Sequence, residues 1–279
     1  MTFSIVTIVK GRRPQLANHL ASCSRANVLP LEHIVVAIDG PSDITPPNKT
    51  YPLRIEPLST TEADILPLAK SRNKGINSAT SEIVIVLDVD CIVSPSLFQT
   101  FLDKLEKNTI TSAYPYYLSR VPNHTEKYAN LKQESVLHPS RKRIKPEIAI
   151  DPRLFWSLAF CGYKMDLLAA GGFDETFTGY GSEDTDFAVS LSEKGMSFTF
   201  VEDVVLHQYH DKYDPPLNYL QDIVVNAQHY KAKHGVWPME GWLKKLQHAG
   251  FIAWTEDNLK ITKQPHKKDF DMFKSRLPY

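Results

Sequence analysis

Short apolar runs alternate with amphipathic stretches over the first third of the chain. Residues 4–9, 34–38, 53–55 and 83–87 are such runs, dominated by Ile, Val and Leu. Polar or turn-forming residues come after three of them: Lys10-Gly11-Arg12-Arg13, Asp39-Gly40-Pro41 and Asp88-Val89-Asp90. Between them, residues 15–25 carry Leu16, Leu20 and Cys23 at helical spacing, with Pro14 suited to a first turn, and residues 66–78 predict a second helix. Apolar strands that each lead into a helix predict an α/β fold with a mostly parallel sheet covered on both faces. Such sheets take ligands beyond the carboxyl ends of their strands, where Asp39, Asp88 and Asp90 fall.

The pattern loosens in the middle. Residues 115–152 hold five prolines and the basic cluster Arg141-Lys142-Arg143, which predicts a long, partly mobile excursion. Order is expected to return over 155–164, then a helix over 184–193 stopped by Gly195 and a strand over 196–201. After Pro215-Pro216, residues 217–234 read as a helix ending at Gly235, with a further short helix in 237–250. Tyr219, Tyr230 and Trp237 read as packing residues, and no element is predicted for the polar tail 264–279.

Composition narrows the classes. The chain of 279 residues balances 32 Lys+Arg against 32 Asp+Glu, so nothing in its total charge draws it to nucleic acid or an anionic membrane. Three scattered cysteines without C-x-x-C spacing exclude a disulfide scaffold or a zinc finger. The first residues lack a signal-peptide core, and no apolar stretch approaches the roughly 20 residues of a membrane span. The expected location is cytoplasmic, or peripheral at a membrane. Neither G-x-G-x-x-G nor a P-loop is present, so dehydrogenase and P-loop readings fall.

Three features carry chemistry. In Asp88-Val89-Asp90 the two acids share one face of an extended segment, and their mutual repulsion is relieved by a divalent cation. Capping of a following helix would explain them equally. From Gly171 to Asp186, glycines and the aromatics Phe173, Phe177 and Tyr180 precede Glu183, Asp184 and Asp186 at a helix start. That pattern suits a sugar stacked on rings with an acid to take its hydroxyl proton, or plain N-terminal capping by Ser182. His207 and His210 follow an apolar run, and imidazole with carboxylate oxygens suits a first-row ion such as manganese.

The D-x-D at a strand end, then G-G-F-D-E-x-F-x-G-x-G-x-E-D-x-D, then a histidine resembles family 2 glycosyltransferases. The likeness is strongest to those sharing the galactosyltransferase-type carboxy-terminal motif, also seen in β-1,4-galactosyltransferases, polypeptide N-acetylgalactosaminyltransferases and chondroitin polymerases. It spans residues 3 to about 210 and implies a GT-A fold: a Rossmann-like, mostly parallel sheet flanked by helices. Its nucleotide-binding part would be residues 1–114 and its acceptor part 150–210, with a mainly helical extension over 211–279. The implied reaction moves a sugar from a nucleotide-diphosphate sugar, a UDP-sugar above all, to a carbohydrate or other hydroxyl acceptor with inversion, using Mn²⁺ or Mg²⁺.

Carried over by residue, the resemblance makes Asp90 and His207 metal ligands, with His210 as the alternative and Asp88 approaching the metal or the ribose. Asp184 would be the base and Glu183 would hold hydroxyls. Thr7, Val9 and Asp39 would serve the base pocket. Arg12, Arg72 (in Lys70-Ser71-Arg72-Asn73-x-Gly75) and Val89 would sit along the nucleotide. Gly172, Phe173, Tyr180 and Gly181 would face substrate. Tyr180 stands where galactosyltransferases often carry Trp, and Thr185 replaces an acid, which leaves sugar and acceptor preference open. A retaining transferase and a non-catalytic sugar-nucleotide or glycan binder are the competing readings; a binder needs neither a base nor a full D-x-D.

Overall fold

The computed structural model describes residues 1–40, 44, 51–60, 66–275 and 277–279, so Pro41 lies outside the described residues. The first third has the predicted alternation: β1 (Phe3–Val9), α1 (Arg13–Cys23), β2 (Glu32–Ile38), β3 (Leu53–Leu58), α2 (Leu68–Ser78) and β4 (Ile83–Leu87). Next come β5 (Cys91–Val93), α3 (Leu97–Asp103), β6 (Thr109–Tyr117), α4 (Tyr128–Glu134), β7 (Val136–Leu137), β8 (Ala159–Tyr163), α5 (Lys164–Leu167), α6 (Glu183–Glu193) and β9 (Ser197–His207).

One sheet runs β3-β2-β1-β4-β8-β6-β9-β5, with β7 added to β6. The strands β3, β2, β1 and β4 are parallel; β8 is antiparallel to both β4 and β6, and β6 is parallel to β9. Strands β1, β2 and β4 are buried from end to end because both faces are covered. Alternate residues divide between those faces. Ile5, Ile85 and Leu87 pack with Phe98 and Phe101 on one side, and Val6, Val84 and Val86 pack with Phe160 and Phe187 on the other. Helix α2 approaches so closely at Gly75 that a Cβ there would fall 2.2 Å from Val6 Cγ1. This close crossing fixes Arg72, one turn earlier, at the rim of the sheet.

The middle segment is more regular than its prolines suggest. Pro115 lies within β6, and α4 and β7 occupy part of the stretch beyond it. Arg120 ties this segment together through Glu126 and Glu134. Strand β9 runs six residues past its expected end at Val201, through Glu202 and Asp203, because β6 and β5 flank it and satisfy its backbone.

The extension comprises α7 (Leu220–His234), α8 (Glu240–His248), a hairpin of β10 (Ile252–Trp254) and β11 (Leu259–Ile261), and α9 (Lys267–Phe273). The periodicity of the sequence does not predict the hairpin or α9. Leu220, Ile223, Leu243, Leu246 and Phe251 form its own small core. Tyr230 is buried there, as packing required. The last residues return to 212–214 through backbone hydrogen bonds from Asp214 to Phe273 and from Ser275 to Lys212. Among the described residues, no helix is long and apolar enough to cross a membrane.

Candidate active site

Chain pairing assembles the first half of the site. Strand β5 begins directly after Asp90 and pairs with β9, setting Cys91 opposite His207, while the Gln208 amide donates to the Asp90 carbonyl at 2.8 Å. Asp90, His207 and His210 thereby bring ligand atoms within 4.8 Å of one another. Asp90 Oδ1 and His207 Nδ1 are buried with no hydrogen-bond partner. Such orphans are costly unless a ligand completes them. Burial holds His207 well below the ordinary imidazole pKa and His210 at about 4, so both rings are neutral and able to donate a lone pair. The other Asp90 oxygen pairs with Arg12, which sits in a left-handed conformation before α1. These donors fit a first-row divalent cation. Tyr117 of β6 stacks beneath His207, with centroids 4.8 Å apart.

The second half is joined to the first by Arg72. Only 4% exposed, it reaches Asp88 Oδ1 at 3.5 Å with one terminal nitrogen and Glu183 Oε1 at 3.1 Å with the other. The second Glu183 oxygen accepts the Gly181 amide at 3.1 Å. Gly181 has φ +101°, a region that suits glycine, and the turn it makes delivers Glu183 and Asp184 at the start of α6. Burial pushes the Asp88 carboxyl up, and Arg72 and Arg12 pull it back. Among the described residues Asp184 forms no ion pair and accepts hydrogen bonds from its neighbour Thr185 alone. Burial, then the charge of Glu183, pushes its pKa up to about 7 against the pull of Arg72. A carboxyl poised there can exchange a proton near neutrality.

Several expected site residues lie elsewhere. Phe173 and Phe177 are each 2% exposed; Phe173 stacks on Phe187 at 3.9 Å and Phe177 packs against His229, so neither ring can receive a sugar. Gly172 makes room for Asn73, whose amide group exchanges hydrogen bonds with the Phe173 backbone. Thr7 is fully buried between His19 and His33, at 2.9 Å from each, and does not line a base pocket. The side chains of Val9 and Val89 pack with Leu16 and Leu20 in the core. Asp186, which the acidic cluster had placed with the chemistry, turns away to His234 at 2.7 Å and Lys233. Asp39 stands at the end of β2 as expected, held by the Thr60 amide at 2.8 Å and by Lys10 at 3.3 Å.

Tyr180 is half-buried and does present an aromatic surface, shared with residues the sequence did not single out for the site. It stacks on Tyr219 at 4.4 Å and on Trp242 at 5.9 Å, both from the extension. Only the packing of the extension against the turn before α6 reveals them; Tyr117 likewise becomes visible only through the β6–β9 ladder.

The profile described as "Glycosyltransferase like family 2" matches residues 53–221, which include Arg72, Asp88, Asp90, Glu183, Asp184 and His207. The chain belongs to this family. No curated protein sequence matches it. Among solved structures, this glycosyltransferase-family chain is similar to S. aureus TarS 1-349, with 15% identity, TM-score 0.55, and 83% of this chain and 66% of that one covered. It is similar to GalNAc-T7 with UDP, GalNAc and Mn²⁺ at 13% identity and TM-score 0.54, over 89% and 57% of the two chains. It is also similar to mannosyltransferase PcManGT from Pyrobaculum calidifontis with GDP-Man and Mn²⁺, at 17% identity and TM-score 0.54, over 88% and 68%. The chain thus spans just under two thirds of TarS 1-349 and less of GalNAc-T7. The shared architecture is the GT-A fold.

Proposed function

We propose that this chain is a metal-dependent, inverting glycosyltransferase that moves a sugar from a UDP-sugar to an acceptor hydroxyl. The observation that carries the reading is the Arg72 bridge, which joins Asp88 at one end of the sheet to the Glu183–Asp184 turn. Similar folds have been solved with UDP, UDP-GlcNAc and GDP-Man, which supports a nucleotide-sugar donor.

Asp90, His207 and His210, with Asp88 beside them, would hold Mn²⁺ or Mg²⁺. Such an ion, when bound, neutralises the charge that develops on a departing diphosphate. In this reading Asp39 at the β2 rim would meet the nucleoside base, and Arg12 and Arg72 would add positive charge along the diphosphate. Tyr180, backed by Tyr219 and Trp242, offers the apolar face of a sugar a ring to rest on. Glu183, fixed by Arg72 and the Gly181 amide, accepts sugar hydroxyls without shifting. Asp184 takes the proton of the acceptor hydroxyl, whose oxygen forms the new bond at the anomeric carbon. The bond from that carbon to the phosphate oxygen breaks, and its electron pair leaves with the nucleoside diphosphate. No protonated carboxyl is needed for so activated a leaving group, unlike a glycoside hydrolase pair. The three buried, unpaired thiols favour a reducing compartment, and we place the protein in the cytoplasm on that ground.

A donor screen that reads nucleoside diphosphate release, with Mn²⁺ and with chelator, tests the proposal. Release should require the metal, and Asp184→Asn should cut it by about 10²- to 10⁴-fold while leaving donor affinity within a few-fold. Turnover retained by that variant would remove Asp184 as base. NMR of the product anomer reads inversion against retention.

A further inference from the structure

Arg141 lies in a single helical turn after β7 and is 1% exposed. Its Nη1 donates to the Leu154 carbonyl at 2.6 Å. The guanidinium sits over Trp156, 3.5 Å from the ring centroid, with Phe200 at 5.5 Å. Its Nε and Nη2 are buried and have no hydrogen-bond partner among the described residues. Burial lowers its pKa to about 10 against the pull of Asp184, a carboxylate that does not pair with it. A buried cation without a counter-ion is costly, and two idle N–H groups add to the cost.

A second cation and a neutral imidazole stand nearby. Lys212 stands 5.1 Å from the centroid of the Tyr117 ring and donates to the Pro278 carbonyl. His138 meets Trp156 edge-on at 4.9 Å. Tyr117 itself stacks on His207, so this side-chain cluster adjoins the proposed metal ligands and feels the charge of Asp184. Arg12 and Arg72 both pair with acids, whereas among the described residues no carboxylate pairs with Arg141.

We propose that Arg141, with Lys212 across the Tyr117 ring, is an anion subsite of the cleft that receives a phosphate or carboxylate group of a substrate. A guanidinium with two free donors in one plane matches the paired oxygens of such a group. The source of the anion rests on the transferase reading: it is the donor's diphosphate or an acidic group on the acceptor. The anion chemistry itself stands on the unpaired guanidinium.

Calorimetric titration of the full chain with inorganic pyrophosphate, in chelator, tests the subsite apart from the metal. Wild type should bind, and Arg141→Gln should bind about tenfold or more weakly; no binding by wild type, or equal binding by the variant, overturns the proposal. Arg141→Met serves as the folding control and should melt at or above the wild-type temperature because an unpaired buried charge is gone. A marked drop in its melting temperature with pyrophosphate affinity intact would make Arg141 purely structural and likewise overturn the idea. Two further arms assign the source. A loss of UDP affinity but not uridine affinity in Arg141→Gln points to the donor, and a lost preference for carboxylate over matched neutral acceptors points to the acceptor; both support the subsite. If pyrophosphate binds through Arg141 but no donor is turned over, the transferase reading falls and the subsite stands.

Discussion

Among the described residues two clusters of ligand-type side chains sit in this fold, and they differ in one respect. His19, Cys23 and His33 lie around β1 in the interior, and Asp90, His207 and His210 lie where β5 meets β9; each set brings its ligand atoms within 4.8 Å. In the first cluster the partners close on themselves. His19 Nδ1–H donates to the Cys91 carbonyl at 2.7 Å, which leaves Nε2 to accept from the Thr7 hydroxyl. His33 Nε2–H then donates to the same Thr7 oxygen, with its Nδ1 facing the Tyr51 hydroxyl at 3.5 Å. In the second cluster Asp90 Oδ1 and His207 Nδ1 have nothing. Residue type does not separate a core network from a site. Unfinished hydrogen bonding at converging ligand atoms does, because a buried polar atom without a partner costs stability that a bound ion can restore.

The sharpest break of this comparison is Asp90→Asn. It should weaken Mn²⁺-dependent nucleotide binding by more than about a hundredfold, since even partners one step removed from a metal are worth that much. Calorimetry with and without Mn²⁺ measures it, and intact binding would move the metal elsewhere. Next comes acid sensitivity of the interior cluster. Burial lowers His19 to about 4 from an ordinary 6.5 and His33 further. Their stabilising contribution is therefore present above the unfolded value and is lost as pH falls toward the folded one. His19 alone should remove about 2 kcal/mol of stability between about pH 7 and pH 5. Urea unfolding at the two pH values reads this, and no change would mean that the rings are not held neutral. Thr7→Val should cost about 2 kcal/mol by orphaning both imidazoles, with turnover per folded molecule unchanged. A loss of turnover there, with stability intact, would return Thr7 to the nucleotide site.

The smallest effect is the pH dependence of Asp184. Its pKa of about 7 means that the base form is lost below neutrality, so turnover should fall about tenfold per pH unit on the acid side. The raised folded value also means that its protonated form favours the fold. That contribution is present below the unfolded value near 3.8 and is lost as pH rises through about 7, so Asp184→Asn should be the more stable protein in mild alkali. A pH–rate profile without an acid limb near 7 would place the base on another residue.

Much of the first third was legible because its strands are buried on both faces and read as unbroken apolar runs, as residues 83–87 do. The acids at strand ends and at the start of α6 were legible for a related reason: charge directly after an apolar run has to sit at an edge. Strand β9 was not readable past Val201, because Glu202 and Asp203 break the pattern and only pairing with β6 and β5 carries the strand on to His207. Aromatic residues misled for the opposite reason. Phe173 and Phe177 a few residues before an acidic helix start look like a platform, but a ring is equally at home in a core, and Phe187 decides that for Phe173.

The order of residues along this chain determined where chemistry is available: Asp88 and Asp90 after one strand, Glu183 and Asp184 before one helix, His207 after another apolar run. Those choices arise from local periodicity and need no distant contact. Tertiary structure decided which of the available groups meet and which are spent. Arg72 binds Asp88 to Glu183, Asp186 goes to His234, Thr7 to two imidazoles, and Arg141 to no acid at all. The physical reason is that satisfaction of a buried polar group depends on partners supplied by elements far away in sequence, here β5 against β9 and α2 against the turn before α6.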